Sequence, residues 1–227
     1  LDIGTSKIMA VVAEVQADAS IKVLGMGVAP STGMKRGVVV NIEASVQSIQ
    51  QAVREAEMMA ACKITRVITG ITGSHIRGRN SVGMVAVRDR EVSPSDVAKV
   101  LETARAINIS TDQRPLLVEP QEFIIDGQEV KEPIGMSGVR LESKVHIVTC
   151  AQSAAENIIK CVRRCGLEVE HLMLNPLAAS MATLTEDERE LGVVLIDIGA
   201  GTTDIAVFSG GAIRHTAVLP VAGELIT

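Results

Sequence analysis

Aromatic residues are almost missing: the 227-residue chain has two Phe and neither Trp nor Tyr. That removes the stacking platforms on which single-stranded nucleic acids are held. Cysteine is sparse too. Cys62, Cys150, Cys161 and Cys165 form no CxxC pair and no framework for a small secreted scaffold. Cys161 and Cys165 lie one helical turn apart, but no paired histidines complete a metal shell, so they read as reduced, buried thiols of a cytosolic protein. There is no excess of positive charge: 22 Lys and Arg stand against 27 Asp and Glu, for a formal charge of −5. Basic residues occur only in small groups such as Lys35-Arg36 and Arg163-Arg164. With no cationic stripe to displace phosphate counterions, nucleic acid is not an expected partner. No apolar run is long enough to span a bilayer, no signal-peptide pattern is visible and no window is of low complexity. What remains is ordinary for a globular chain, 47% hydrophobic and 22% charged, long enough to bury one large core or two smaller ones.

The chain is organised around Leu195-Ile196-Asp197-Ile198-Gly199-Ala200-Gly201-Thr202-Thr203-Asp204-Ile205-Ala206-Val207. An apolar strand ends on a carboxylate, turns through glycines and hydroxyls, and re-enters an apolar strand. Such a turn holds phosphate, because Gly199 and Gly201 let the backbone approach an anion while N–H groups and the Thr202 and Thr203 hydroxyls donate to it. The chain opens with a near copy, Leu1-Asp2-Ile3-Gly4-Thr5-Ser6-Lys7-Ile8-Met9-Ala10-Val11-Val12. Two facing copies would enclose one polyphosphate.

Between the copies, Ile8 to Val15 and Ile21 to Val28 read as a meander, and Pro30 to Gly37 as a loop before the short strand 38–40. Asn41 is placed to cap a helix whose face is Val46, Ile49, Val53, Ala56 and Met59 or Ala60. Arg66 to Thr72 returns as a strand, completing a βββαβ unit. From Gly73 the texture changes to short strands such as Gly83 to Val87 and one firm helix, with Ser93 as N-cap, Pro94 in the first turn and Asp96 closing an S-x-x-D capping box. The stretch 116–130, the turn 133–138 and the strand 139–150 complete a βαββ-like module that leaves the first domain and returns to it. A further helix is expected from a Ser153/Glu156 capping box to a Gly166 stop. The strand 169–174, a helix opened by Asn175-Pro176, a solvated acidic loop over Thr185 to Glu190 and a hairpin turning at Ser209-Gly210-Gly211 complete the pattern, and a helix begins at Gly223. The methionines, Met58-Met59 included, read as core filling, and His75, His146, His171 and His215 as satisfied strand or loop histidines.

Three phosphate sites compete. A dinucleotide fingerprint needs a third glycine that Gly25-Met26-Gly27 lacks, and no G-x-x-x-x-G-K-[ST] is present. Two D-x-G hairpins remain, whose carboxylates can hold Mg²⁺, usually through water. A lone copy is most simply an Asp-Gly turn; two long copies favour nucleotide binding.

The two motifs resemble the first and second phosphate loops of the actin, heat-shock chaperone and sugar-kinase superfamily. Within it the chain resembles the FtsA family of bacterial cell-division proteins along its whole length. The stretches that carry this closer likeness lie outside the loops: 33–39, 120–123, 133–141, 145–150 and 184–193. The resemblance implies an α/β fold with an actin-like, ribonuclease H-like core and an inserted α+β subdomain. It divides the chain into a first subdomain of 1–72 and 151–190, an insert of 73–150, and the start of a second subdomain at 191–227. It implies ATP and Mg²⁺ as ligands, with Asp2 and Asp197 at the metal, directly or through water. Gly4, Thr5, Ser6 and Lys7 would cradle the phosphates from one side, and Gly199, Ala200, Gly201, Thr202 and Thr203 from the other. It also implies self-assembly into filaments, recruitment of FtsZ, contacts of the insert with later division proteins, and attachment to the cytoplasmic face of the inner membrane at the division site. The membrane helix, like the adenosine loop and the FtsZ-contacting subdomain, would lie beyond Thr227, so the chain by itself is expected to bind nucleotide poorly. Asn175 stands where related polymerising ATPases place Gln or Glu to orient the attacking water. The shorter amide is read first as a helix cap, and ATP hydrolysis is expected to be weak or absent. The alternatives are an actin-like protein of type IV pilus assembly and a small-molecule kinase of the same superfamily.

Overall fold

The computed structural model describes residues 1–226. Strands β1 (Asp2–Ile3), β2 (Lys7–Val15) and β3 (Ile21–Pro30) form an antiparallel meander, followed by the small hairpin β4 (Met34–Lys35) and β5 (Val38–Val39). Helix α1 (Ile42–Ala60) begins where Asn41 Oδ1 accepts from the Ala44 amide at 3.0 Å, as a capping side chain should. Its buried side, Val46, Ile49, Ala52, Val53 and Ala56, lies on β3 at a place where β3 has no side chains. A Cβ on Gly27 would stand 1.9 Å from the Ala52 carbonyl oxygen, and one on Gly25 2.7 Å from that of Ala56. The helix therefore rests directly on the strand backbone.

Strand β6 (Arg66–Ile71) follows α1. Leu1 joins it to β1: the Leu1 nitrogen donates to the Ile68 oxygen at 2.8 Å and the Gly70 amide to the Leu1 oxygen at 3.1 Å, the bond pattern of a parallel pair. On its other side β6 pairs in parallel with β11 (Glu168–Leu174). The five strands thus run in the order β3-β2-β1-β6-β11.

Between β6 and β11 the chain leaves this sheet and builds another. Strand β7 (Arg77–Ala86), helix α2 (Pro94–Arg105), strands β8 (Gln113–Ile125), β9 (Gln128–Val130) and β10 (Arg140–Ala151) build a second sheet in the order β7-β10-β8-β9, all antiparallel. Ser93 and Asp96 form the capping box of α2. The stretch 116–130 is two strands rather than one, split at Asp126-Gly127, both at positive φ, a favoured two-residue hairpin. Strand β10 serves two cores: Val145 and Ile147 pack within the insert, while Val148 and Cys150 pack with Ile49 and Ala56 of α1.

Helix α3 (Gln152–Arg164) ends at Cys165, with Gly166 at φ 79° behind it, as expected. Its start corrects the Ser153/Glu156 capping box. The N-cap is Ala151, no side chain caps the end, and the Gln152 amide donates instead to the Asp112 oxygen at 2.8 Å because β10 runs straight into the helix. Helix α4 (Asn175–Thr183) follows β11. The acidic stretch is a second correction: Glu186–Leu191 is helix α5, begun by a capping box in which Thr185 and Glu188 exchange bonds. Strands β12 (Val193–Ile198), β13 (Thr203–Ser209) and β14 (Ala212–Leu219) form a separate antiparallel sheet, and α6 (Gly223–Ile226) follows. The expected helix at Gly223 is present, and Thr227 lies outside the described residues. Met58 and Met59 are 75% and 65% exposed, so they do not fill the core; Met59 stays at the margin of the helix–sheet contact, its Sδ accepting from the Met26 amide of β3 at 3.3 Å.

Candidate functional site

Both motifs fold as the same hairpin. In the first, the Gly4 amide donates to the Lys7 oxygen at 3.1 Å; in the second, the Gly199 amide donates to the Thr202 oxygen at 2.9 Å. Asp2 sits on β1 across from Met9, and Asp197 on β12 across from Asp204. The two turns touch. A Cβ on Gly201 would lie 2.7 Å from Thr5 Oγ1 and 3.0 Å from the Arg36 Cα, so only glycine fits there. Thr5 Oγ1 also accepts from the Gly37 amide at 3.1 Å, which ties the first turn to the Arg36-Gly37 bend, where both residues take positive φ. The second turn is held from behind by α6, whose Gly223 and Glu224 amides donate to the Gly199 and Ala200 oxygens.

Asp2, Asp197 and Asn175 line one cleft of about 450 Å³, together with Leu1, Met9, Ile68 and Gly70. Burial raises the Asp2 carboxyl above its ordinary range, and the negative charge of Asp197 adds to that shift. A cation between the two carboxylates would relieve both effects. Gly4, Thr5, Ser6 and Lys7 lie along the first turn and Gly199, Ala200 and Gly201 along the second. Thr202 is buried. Thr203 is already engaged, its hydroxyl donating to the Val221 oxygen at 2.7 Å, so it reaches an anion only by giving up that bond.

Asn175 is not the helix cap that its residue type suggested. It is the first residue of α4, Leu174 holds the cap position, and no side-chain cap bond forms. Its Oδ1 is buried with no hydrogen-bond partner and lies over Gly70, where a Cβ would come within 2.3 Å of it. The register explains this: β11 and β6 are paired to their ends, Leu174 against Ile71, so the amide falls across the strand instead of turning back onto its own helix.

Sequence reasoning passed over Asp204 and Thr72. Thr72 Oγ1 donates to Asp204 Oδ1 at 2.5 Å between two buried residues that are 132 positions apart. Burial pushes the Asp204 carboxyl up to about 6, against the Thr72 and Thr202 hydroxyls, with Asp197 and Asp2 adding like charge. The one available signal was that the second motif has an acid where the first has Met9. His75, read as satisfied, has both ring nitrogens buried without a hydrogen-bond partner, and burial lowers its basicity.

The family model described as an SHS2 domain inserted in FtsA matches residues 73–149, and the one described as cell division protein FtsA matches residues 194–227. Over its whole length the chain is 60% identical to the cell division protein FtsA of Pseudomonas aeruginosa and spans 55% of that protein. The chain belongs to the FtsA family. The Escherichia coli K12 FtsA is 48% identical over the same full length, with 54% of it spanned, so the chain covers about half the length of the FtsA relatives it matches. Among solved structures, the PilM-PilN type IV pilus biogenesis complex aligns with 98% of this chain and 61% of its own at a TM-score of 0.67 and 19% identity. That likeness is one of fold. The fold is the actin-like one, with the FtsA-type insert.

Proposed function

We propose that these residues form the phosphate-binding half of an ATP- and Mg²⁺-binding division protein of the FtsA kind. It would polymerise, join the FtsZ ring to the cytoplasmic face of the inner membrane at the division site, and recruit later division proteins through its insert. The observation that carries the reading is the pair of matching D-x-G hairpins in contact at Gly201 and Thr5, with Asp2 and Asp197 on one cleft. The relatives' description as cell division proteins favours division over pilus assembly or a small-molecule kinase. In this reading 1–72 and 151–190 make the first actin-like subdomain, 73–150 the insert, and 191–227 the start of the second subdomain.

The donor set suits Mg²⁺. Among the described residues no three acidic, His or Cys side chains cluster as a closed metal site, whereas Mg²⁺ keeps several waters and takes one or two carboxylates plus phosphate oxygens. Asp2 and Asp197 would hold it through water, and it would supply charge neutralisation to the phosphates. The backbone amides of the two turns, with Thr5, Ser6, Lys7 and Thr202, would donate to phosphate oxygens. Asn175, with its acceptor unused, would orient a water at the cleft, and its short reach supports slow hydrolysis. Calorimetric titration of the full-length protein with MgATP tests the site: Asp197→Asn should weaken binding about tenfold or more, and an unchanged affinity would refute it. Co-pelleting with FtsZ polymers tests the division role.

A further inference from the structure

Away from the hairpins, the insert is fastened to the lobe that carries the second one. His146, in the middle of β10, is 1% exposed, and each of its ring nitrogens meets a different lobe. Nδ1 lies 2.6 Å from Asn80 Oδ1 on β7, within the insert, and Nε2 lies 2.9 Å from Thr216 Oγ1 on β14. With Asn80 Oδ1 as acceptor the proton sits on Nδ1, and Nε2 accepts from the Thr216 hydroxyl. Gln121 Nε2 of β8 donates to the Ile213 oxygen at 2.9 Å and the Arg214 oxygen at 3.3 Å. The fit has no slack, since a Cβ on Gly78 would stand 2.4 Å from Thr216 Oγ1. Both His146 nitrogens, the Thr216 hydroxyl and the Gln121 amide nitrogen have partners at this junction, which favours one arrangement over a sliding contact.

The middle of β10 and its C-terminal end therefore belong to different bodies. Val148 and Cys150 are packed into the core under α1, with the first hairpin. His146 is bonded to β14, and Thr216 pairs across with Ala206 on β13, the strand that leaves the second phosphate turn. A change in the gap between the hairpins must shear β14 against β7, β8 and β10.

We propose that the insert acts as a clasp that sets the spacing of the two hairpins, with His146 and Thr216 as its positioning residues. Its effect on ligand affinity rests on the nucleotide reading above; its effect on lobe spacing does not.

The test measures the distance distribution between spin labels on Cys62, exposed on the first lobe, and on a Ser209→Cys substitution in the second, in the full-length protein without nucleotide. Thr216→Val, which orphans Nε2, should broaden the distribution towards longer distances, and Thr216→Ser should restore it. MgATP affinity should fall about tenfold with Val and recover with Ser. If Val and wild type give the same distribution, the clasp is refuted. A broadened distribution in a protein whose wild type binds no MgATP would sink the nucleotide reading and leave the clasp standing. Should Thr216→Val fail to fold, Gln121→Ala takes its place, with the same broadening required.

Discussion

Replacing Gly27 by alanine adds one methyl group, and the structure sets its effect. The new Cβ would stand 1.9 Å from the Ala52 oxygen, 2.6 Å from the Ala56 nitrogen and 2.7 Å from the Glu55 Cβ. The first two are backbone of α1, and no side-chain rotation relieves them. To reach ordinary contact, α1 has to lift from β3 by about 1.5 Å, and a radial gap of about 1 Å already forfeits a quarter to a half of each dispersion contact. The contacts at risk are those of Ile49, Ala52 and Ala56, each fully buried, and of Val53. Overpacking of a well-filled core costs about 1–3 kcal/mol and more where backbone blocks relaxation, so about 3–4 kcal/mol is expected. For a chain of this size that is a fall in Tm of about 10 °C. Thermal unfolding followed by circular dichroism measures it. Gly135→Ala is the control, since nothing lies within 4 Å of its added Cβ and only its φ of 82° opposes the change; about 1 kcal/mol is expected there. A Gly27→Ala protein as stable as the Gly135→Ala control would refute the claim that α1 rests on bare backbone.

Other outcomes follow from the same geometry. Burial, aided by the charge of His215, pushes His146 down to about 4. Between pH 6.5 and 4 the unfolded chain therefore binds a proton that the native one does not, and stability rises with pH across that window and falls on acidification; the His146 share is about 3 kcal/mol. Urea midpoints at pH 7 and pH 4.5 should converge in His146→Gln. Thr72→Val strips the buried Asp204 carboxyl of its 2.5 Å donor and should cost about 2 kcal/mol at pH 7.5 in urea unfolding. Asn175→Ala separates two readings of that residue. A helix cap would lose about 1 kcal/mol, whereas removing an orphaned buried acceptor should leave stability equal or higher.

Much of the fold was legible because its signals are local. Asn41, Ser93 with Asp96, and Gly166 act within one helical turn, and each behaves as its residue type predicts. The same holds for the two D-x-G hairpins, whose turn bonds close over three residues. Local signals failed where a neighbour distant in the chain competed. Ser153 and Glu156 have the right spacing for a capping box, but the run-on from β10 places the helix start two residues earlier. Met58 and Met59 have core-like side chains, but α1 is pressed on the sheet along Ala52 and Ala56, which leaves Met58 exposed and Met59 at the margin of the contact.

The two D-x-G turns, their carboxylates and the change of texture at Gly73 can be read from residue order alone, since each depends on residue types a few positions apart. What those pieces meet is set by how the sheets pack. Thr72 reaches Asp204 across 132 positions, Gly201 is pressed on Thr5, and Asn175 lies over Gly70 with its oxygen unpaired. His146 bonds a strand 70 residues away. Such contacts leave no periodicity or cap for a one-dimensional reading to detect, because they arise from how the sheets and the helix on them pack together.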